Sequence, residues 1–148
     1  MDLFELGLEN EWLRQLAEHG SRITGPRRAI VRILARSNRA YEPLELFDLV
    51  RMDAPGVGLV TVYRTLEALE ELELVQRIHE RGGCRRYLRA PQGHQHVLLC
   101  QRCGQAVLFD GDDLEPLFEQ VAARWGYSIE DHWLQLFGLC PDCRKNAS

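Results

Sequence analysis

No run in the 148-residue sequence approaches the ~18 consecutive apolar residues of a membrane-spanning helix. The opening residues, MDLFELGLENEW, also lack the basic patch and apolar stretch of a secretory signal. The chain is therefore expected in the cytosol, with no membrane partner. Internal repeats and low-complexity tracts are missing too, which leaves one sizeable domain or two small ones. Cysteine is sparse, at five residues, and in a reducing compartment such cysteines point to metal or redox chemistry rather than structural disulfides. Apolar content of 45% is enough for a packed core.

Acidic residues are missing from one stretch in particular. Residues 21–41 hold six arginines, Arg22, Arg27, Arg28, Arg32, Arg36 and Arg39, and no acid. Beyond residue 90 the balance reverses, with eight acids against Arg102, Arg124, Arg144 and Lys145. A net charge of -4 hides this division. A basic front half is the footprint of contact with a polyanion, although a solvated helix face would read the same way.

Residues 9–19 read as a helix with Trp12, Leu13 and Leu16 on one stripe, stopped by Gly20. A second helix starts at the cap Thr24 with Pro26 in its first turn and Ile30, Ile33 and Leu34 along one face. A third follows Glu42-Pro43. The turn DAPGVG leads to a fourth over residues 59–73, with Val62, Leu66 and Leu69 inward. LVQRIHE and CRRYLRA then read as strands joined by Arg81-Gly82-Gly83. Helices followed by a hairpin describe a winged helix-turn-helix, predicted over residues 1–88, with RAPQG (89–93) as hinge. The remainder, 94–148, has short strands at 97–99 and 106–109. A helix over 112–125 carries Leu114, Leu117, Phe118, Val121, Ala122 and Trp125 on one apolar face, and a long strand spans 128–139. The fold class is α+β.

Cys100-x-x-Cys103 and Cys140-x-x-Cys143 are two knuckles 36 residues apart. Each lets two thiolates grip one ion, and together they close a tetrahedral four-sulfur zinc site with no open position. A dithiol redox pair is the competitor, but one pair would suffice for that. His94 and His96, two apart, project from the same side of an extended segment. With Glu115 and His132 they could surround one ion with three nitrogens and a carboxylate, a set suiting zinc better than iron(II). Each also has an ordinary reading: His132 as a satisfied core histidine, Glu115 as part of a capping box with Asp112, His94 and His96 as surface residues. On the fourth helix, Thr61, Arg64, Thr65 and Ala68 are predicted outward with Tyr63 beside them. Arginine can grip a guanine edge, while threonine and tyrosine can touch thymine methyls or phosphates; Arg22, Arg27 and Arg28 would lie on the backbone. Glu67, Glu70, Glu71 and Glu73 crowd the far end, so only the first half suits a groove.

RITGPRRAIVRIL (22–34), GLVTVYRTLEALEELELV (58–75), HQHVLLCQRCG (94–104) and GLCPDC (138–143) together resemble the ferric uptake regulator family of metal-dependent transcriptional repressors. The likeness runs from about residue 12 to 144. It implies an N-terminal winged helix on double-stranded DNA and a C-terminal α/β domain that forms a homodimer. By the same resemblance Cys100, Cys103, Cys140 and Cys143 hold structural zinc, and His94, His96, Glu115 and His132 fall at regulatory-metal positions. Tyr63 and Arg64 fall in the recognition helix. A second hinge site of the family is missing its usual ligands here, where Gln95, Val97 and Leu108 stand. His96 occupies a place where iron-sensing members commonly carry aspartate, which moves the expected regulatory metal from iron(II) toward zinc. Cys84 with His79 offers a substitute hinge ligand or redox spot, against the plainer reading of a buried strand cysteine.

The resemblance implies that metal favours a closed form whose two reading helices match a palindromic operator, so that plentiful metal blocks transcription of uptake genes. A zinc hydrolase at the histidine site is the rival from another class, but Glu115 fills the fourth position and no second polar residue stands out as a base. A zinc carrier or store would have no use for residues 61–65 beside an arginine run.

Overall fold

The computed structural model describes residues 2–80, 82–83 and 85–146. The chain divides into two compact units, Met1–Ala90 and Pro91–Ser148.

The first unit is four helices and a hairpin. Helix α1 covers Leu3–Glu18, six residues earlier than its apolar stripe suggests, because Asp2 caps it: its carboxylate accepts from the Phe4 N–H at 3.2 Å. Helix α2, Gly25–Arg36, starts where the sequence puts it, with the Thr24 hydroxyl accepting from the Arg27 N–H at 3.4 Å. Glu42 and Glu45 form a reciprocal capping box at the start of α3, Pro43–Asp53. Helix α4 is Leu59–Glu71. Strands β1 (Val75–His79) and β2 (Arg85–Arg89) pair antiparallel. Trp12, Leu16, Ile30, Leu34, Leu46, Val50, Leu66 and Leu69 are fully buried together and hold the helices around one core.

In the second unit, β3 (Gln95–Cys100), β4 (Ala106–Asp110) and β5 (Gln135–Gly138) form a sheet in the order β4-β3-β5. A short 3-10 turn, Asp112–Leu114, leads into α5, Glu115–Trp125, which ends at Gly126; α6 is Pro141–Lys145. The long strand expected over 128–139 is only four residues long. It pairs with β3 through Val97↔Gln135 to Cys100↔Gly138, and residues 127–134 are irregular. The apolar face of α5 is likewise not interior within one chain: no residue of this helix is buried, and Trp125 is 66% exposed. No helix among the described residues is long and apolar enough to cross a membrane.

Candidate metal centres and nucleic-acid face

The β3–β5 pairing is parallel, and this decides where the cysteines go. Both strands run the same way, so the knuckles that follow them emerge at the same end of the sheet. The Gln101 N–H donates to the Gly138 carbonyl at 2.9 Å, which ties the two exits together. Gly104 adopts a left-handed φ of 79° and closes the first knuckle with its N–H on the Cys100 carbonyl at 3.0 Å. Cys140 caps α6 and receives the Cys143 N–H on its sulfur at 3.5 Å. Arg102 reaches across to the Cys143 carbonyl at 3.2 Å.

Cys100, Cys103, Cys140 and Cys143 consequently gather with all four sulfurs within 4.8 Å of one another, and no disulfide joins them. Cys103 Sγ lies 3.7 Å from Cys140 Sγ. Four sulfurs each ~2.3 Å from a central ion stand about 3.8 Å apart, so the donor set fits a tetrahedral metal. Burial pushes the Cys100 thiol up, but backbone N–H groups of Cys103, Cys140 and Arg102 aimed at its sulfur outweigh that and bring it down to about 6. Burial, together with hydrogen bonds to Cys140, Cys100 and Cys103, pushes Cys143 up to about 12.

The opposite end of the same strand pair carries histidines. His96 is the second residue of β3, about 13 Å along the strand from Cys100 at 3.3 Å per residue, and is 7% exposed. His132 lies in the irregular segment before β5 rather than in a strand. Its Nε2 stands 3.3 Å from His96 Nε2. Phe109 flanks the His96 ring at 5.8 Å and Phe118 flanks the His132 ring at 4.6 Å, centroid to centroid. His94 is exposed in the turn before β3, and Glu115 is exposed as the first residue of α5. Among the described residues, only the four cysteines form a close group of three or more ligand atoms; His94 and Glu115 do not close on the histidine pair.

On α4, Tyr63 and Arg64 are exposed and Thr61 is half-buried. Thr65 corrects the sequence reading. It is 1% exposed, and its hydroxyl donates to the Thr61 carbonyl at 2.7 Å. Three residues after Val62 and four before Leu69, it shares their inward stripe and cannot touch a ligand on the outer face. Val60, 62% exposed one position before Thr61, takes up part of that face; its distance from Tyr63 and Arg64 in helical steps was the signal for it. Two of the four acids at the far end are engaged: Glu70 with Arg77 at 2.9 Å and Glu71 with His19 at 2.9 Å.

The six-arginine run divides as well. Arg32 and Arg36 face Glu9, and Arg39 faces Glu45 at 2.6 Å. Arg22, Arg27 and Arg28 make no ion pair among the described residues; Arg27 donates instead to the Arg22 carbonyl at 2.7 Å. His79 is exposed at the end of β1, opposite Arg85, while Cys84 lies outside the described residues.

Residues 18–137 match the pattern of the Ferric uptake regulator family. The chain belongs to the ferric uptake regulator family. With that membership it joins the metal-responsive, DNA-binding repressors, and its fold is that of a regulator rather than an enzyme. It is 35% identical over 134 residues to the ferric uptake regulation protein of Bacillus subtilis, covering 88% of this chain and 90% of that one. It is 34% identical over 126 residues to the zinc uptake regulation protein of Mycobacterium tuberculosis, covering 85% and 97%. A solved structure, a zinc-bound manganese uptake regulator, superposes with a TM-score of 0.73 at 30% identity, over 87% of this chain and 98% of the other. Relatives named for three different metals sit at similar distance, so identity alone does not choose the metal for this member of the ferric uptake regulator family.

Proposed function

We propose that this protein senses zinc through His94, His96, Glu115 and His132, and that with zinc plentiful it represses zinc-uptake genes by binding a palindromic operator as a homodimer. The observation that carries the choice of metal is the 3.3 Å approach of His96 Nε2 to His132 Nε2. Two nitrogens each 2.0–2.1 Å from a tetrahedral zinc lie about 3.3–3.4 Å apart. A third imidazole and one carboxylate complete a donor set richer in nitrogen than iron(II) prefers. His94 sits two residues from His96, and Glu115 opens the helix whose Phe118 packs on the His132 ring, so the two remaining ligands lie on segments that adjoin the pair. A bound divalent ion supplies a crosslink between the 94–96 segment, the start of α5 and the 127–134 segment. A conformation that holds these segments together is therefore favoured by zinc, and if it is also the DNA-competent one the two ligands reinforce each other. The cysteine cluster, with its closed four-sulfur set, serves as a permanently filled structural zinc site.

Arg64, Tyr63 and Thr61, with Val60, form the base-reading face of α4, and Arg22, Arg27 and Arg28 supply phosphate contacts. The homodimer reading is supported by exposed apolar side chains that a single chain leaves uncovered. Leu117, Val121, Trp125, Trp133, Leu136 and Phe137 are all exposed, and Val121, Trp125, Tyr127 and Ile129 line a shallow apolar groove of about 290 Å³. A second copy would bury such a surface symmetrically.

The test is to strip the regulatory metal with a mild chelator and return buffered zinc, iron(II) or manganese(II) separately. Binding to promoter DNA of the protein's own gene and of neighbouring transport genes is then measured. Zinc should restore binding at the lowest free concentration, and His96→Ala should abolish the response while the four-cysteine metal remains. DNA binding indifferent to metal would sink the sensor reading, and restoration by iron(II) alone would make this an iron sensor.

A further inference from the structure

Gly111 lies at the turn between β4 and the 3-10 turn, and is buried. Its backbone does not have the left-handed φ that calls for glycine, so any residue could adopt its conformation. Space is what a side chain would lack. A Cβ built on Gly111 overlaps Nε2 and Cδ2 of His96 and comes within 3.1 Å of the His94 carbonyl oxygen. The backbone cannot easily withdraw, because the Gly111 N–H donates to the His94 carbonyl at 3.1 Å and its carbonyl accepts from the Leu114 N–H at 3.0 Å. Conflict with a larger residue therefore falls on the more mobile partner, the imidazole. The nitrogen displaced is the one that faces His132 at 3.3 Å.

We infer that Gly111 is a positioning and specificity residue for the histidine pair: by leaving out a side chain it makes room for an imidazole at position 96 and so fixes a nitrogen donor there. The inference rests on the reading of His94, His96, Glu115 and His132 as the regulatory site. It extends that reading to a residue that binds nothing itself. A shorter side chain at position 96 would end before it reached the space above Gly111, so the requirement for glycine should vanish with the imidazole.

The experiment compares wild type, Gly111→Ala, His96→Asp and the double variant as full-length, four-cysteine-zinc-loaded proteins. Zinc affinity of the second site is measured by competition with a chromophoric chelator. Contact between the His96 and His132 rings is measured by proton NMR with that site empty. Gly111→Ala should weaken zinc binding about 10–100-fold, the range for loss of a ligand-orienting neighbour, and should abolish the ring–ring contact. Far-UV circular dichroism and the four-cysteine zinc should be unchanged. In the H96D background the same Gly111→Ala change should cost less than about threefold, well below that range. Equal losses in both backgrounds would show a general structural role and overturn the inference, as would wild-type affinity and ring contact in Gly111→Ala. If the wild type takes up no second zinc but the ring contact still depends on Gly111, the regulatory-site reading falls and the positioning role stands.

Discussion

Glu9 in α1 reaches Arg36 in α2 at 2.7 Å, with Arg32 at 3.6 Å on its other oxygen. Glu9 is 7% exposed, so one buried acid, outside the acid-free stretch, faces two of the six arginines of that run. It does so from the neighbouring helix α1, while Arg22, Arg27 and Arg28 make no ion pair among the described residues.

Removing this acid should destabilise the N-terminal unit. Glu9→Ala takes the carboxylate away from the Arg36 guanidinium, itself only 26% exposed. A loss of about 1–3 kcal/mol is expected in urea unfolding followed by circular dichroism, because a charged group left partly buried keeps its desolvation cost. A loss below measurement error would mean the pair is as weak as a surface bridge.

Glu73 ends the turn after α4 with a φ of 59°, while the Leu74 N–H closes on the Leu69 carbonyl at 2.9 Å. This is the helix-ending geometry that glycine serves best, since a Cβ there crowds the following carbonyl. Glu73→Gly should raise stability by about 0.5–1 kcal/mol despite the greater freedom of glycine in the unfolded chain. A fall in the urea midpoint would contradict the geometry.

Exposed cations should separate into two classes on DNA. Arg64→Ala should cost about 1–3 kcal/mol on operator DNA and little on random sequence, as expected for a base-edge contact. Arg28→Ala should weaken both alike and lower the salt slope by about 1. Thr65→Ser should leave affinity unchanged, since that hydroxyl is buried against Thr61. Gel-shift titrations at several salt concentrations distinguish these outcomes.

Acid should act on the metal-free cysteine cluster through Cys100. Its thiol is held at about 6, below the ordinary value near 9, by the N–H groups around it. A group depressed on folding contributes its stabilisation in full above the unfolded pKa and loses it as pH falls through the folded one. The stability of zinc-stripped protein should therefore decline from pH 9 to pH 6. Thiolate absorbance near 240 nm should show one thiolate formed by pH 7, while Cys143 stays protonated until about 12. Cys100→Ser should remove the early step. An absorbance rise that starts only above pH 8 would mean that the N–H cradle does not operate.

By itself, the sequence determined what depends on neighbours within four residues. Thr24 and Glu42 mark helix starts because a cap needs only the next turn, and the apolar spacing of 30, 33 and 34 marks an inward face. Two CxxC knuckles announce a four-sulfur site because their spacing is local geometry. The same short-range rule, applied to 62, 65, 66 and 69, would also have sent Thr65 inward. The tertiary structure decided the rest. Only the parallel pairing of β3 with β5 brings residues 100–103 to 140–143 at one end and His96 to His132 at the other. That pairing depends on which distant strands share a sheet, a property of the whole chain. The shortening of β5, the uncovered face of α5 and the contact of Gly111 with His96 have the same origin. Each depends on what the rest of the fold packs, or fails to pack, against a locally ordinary segment.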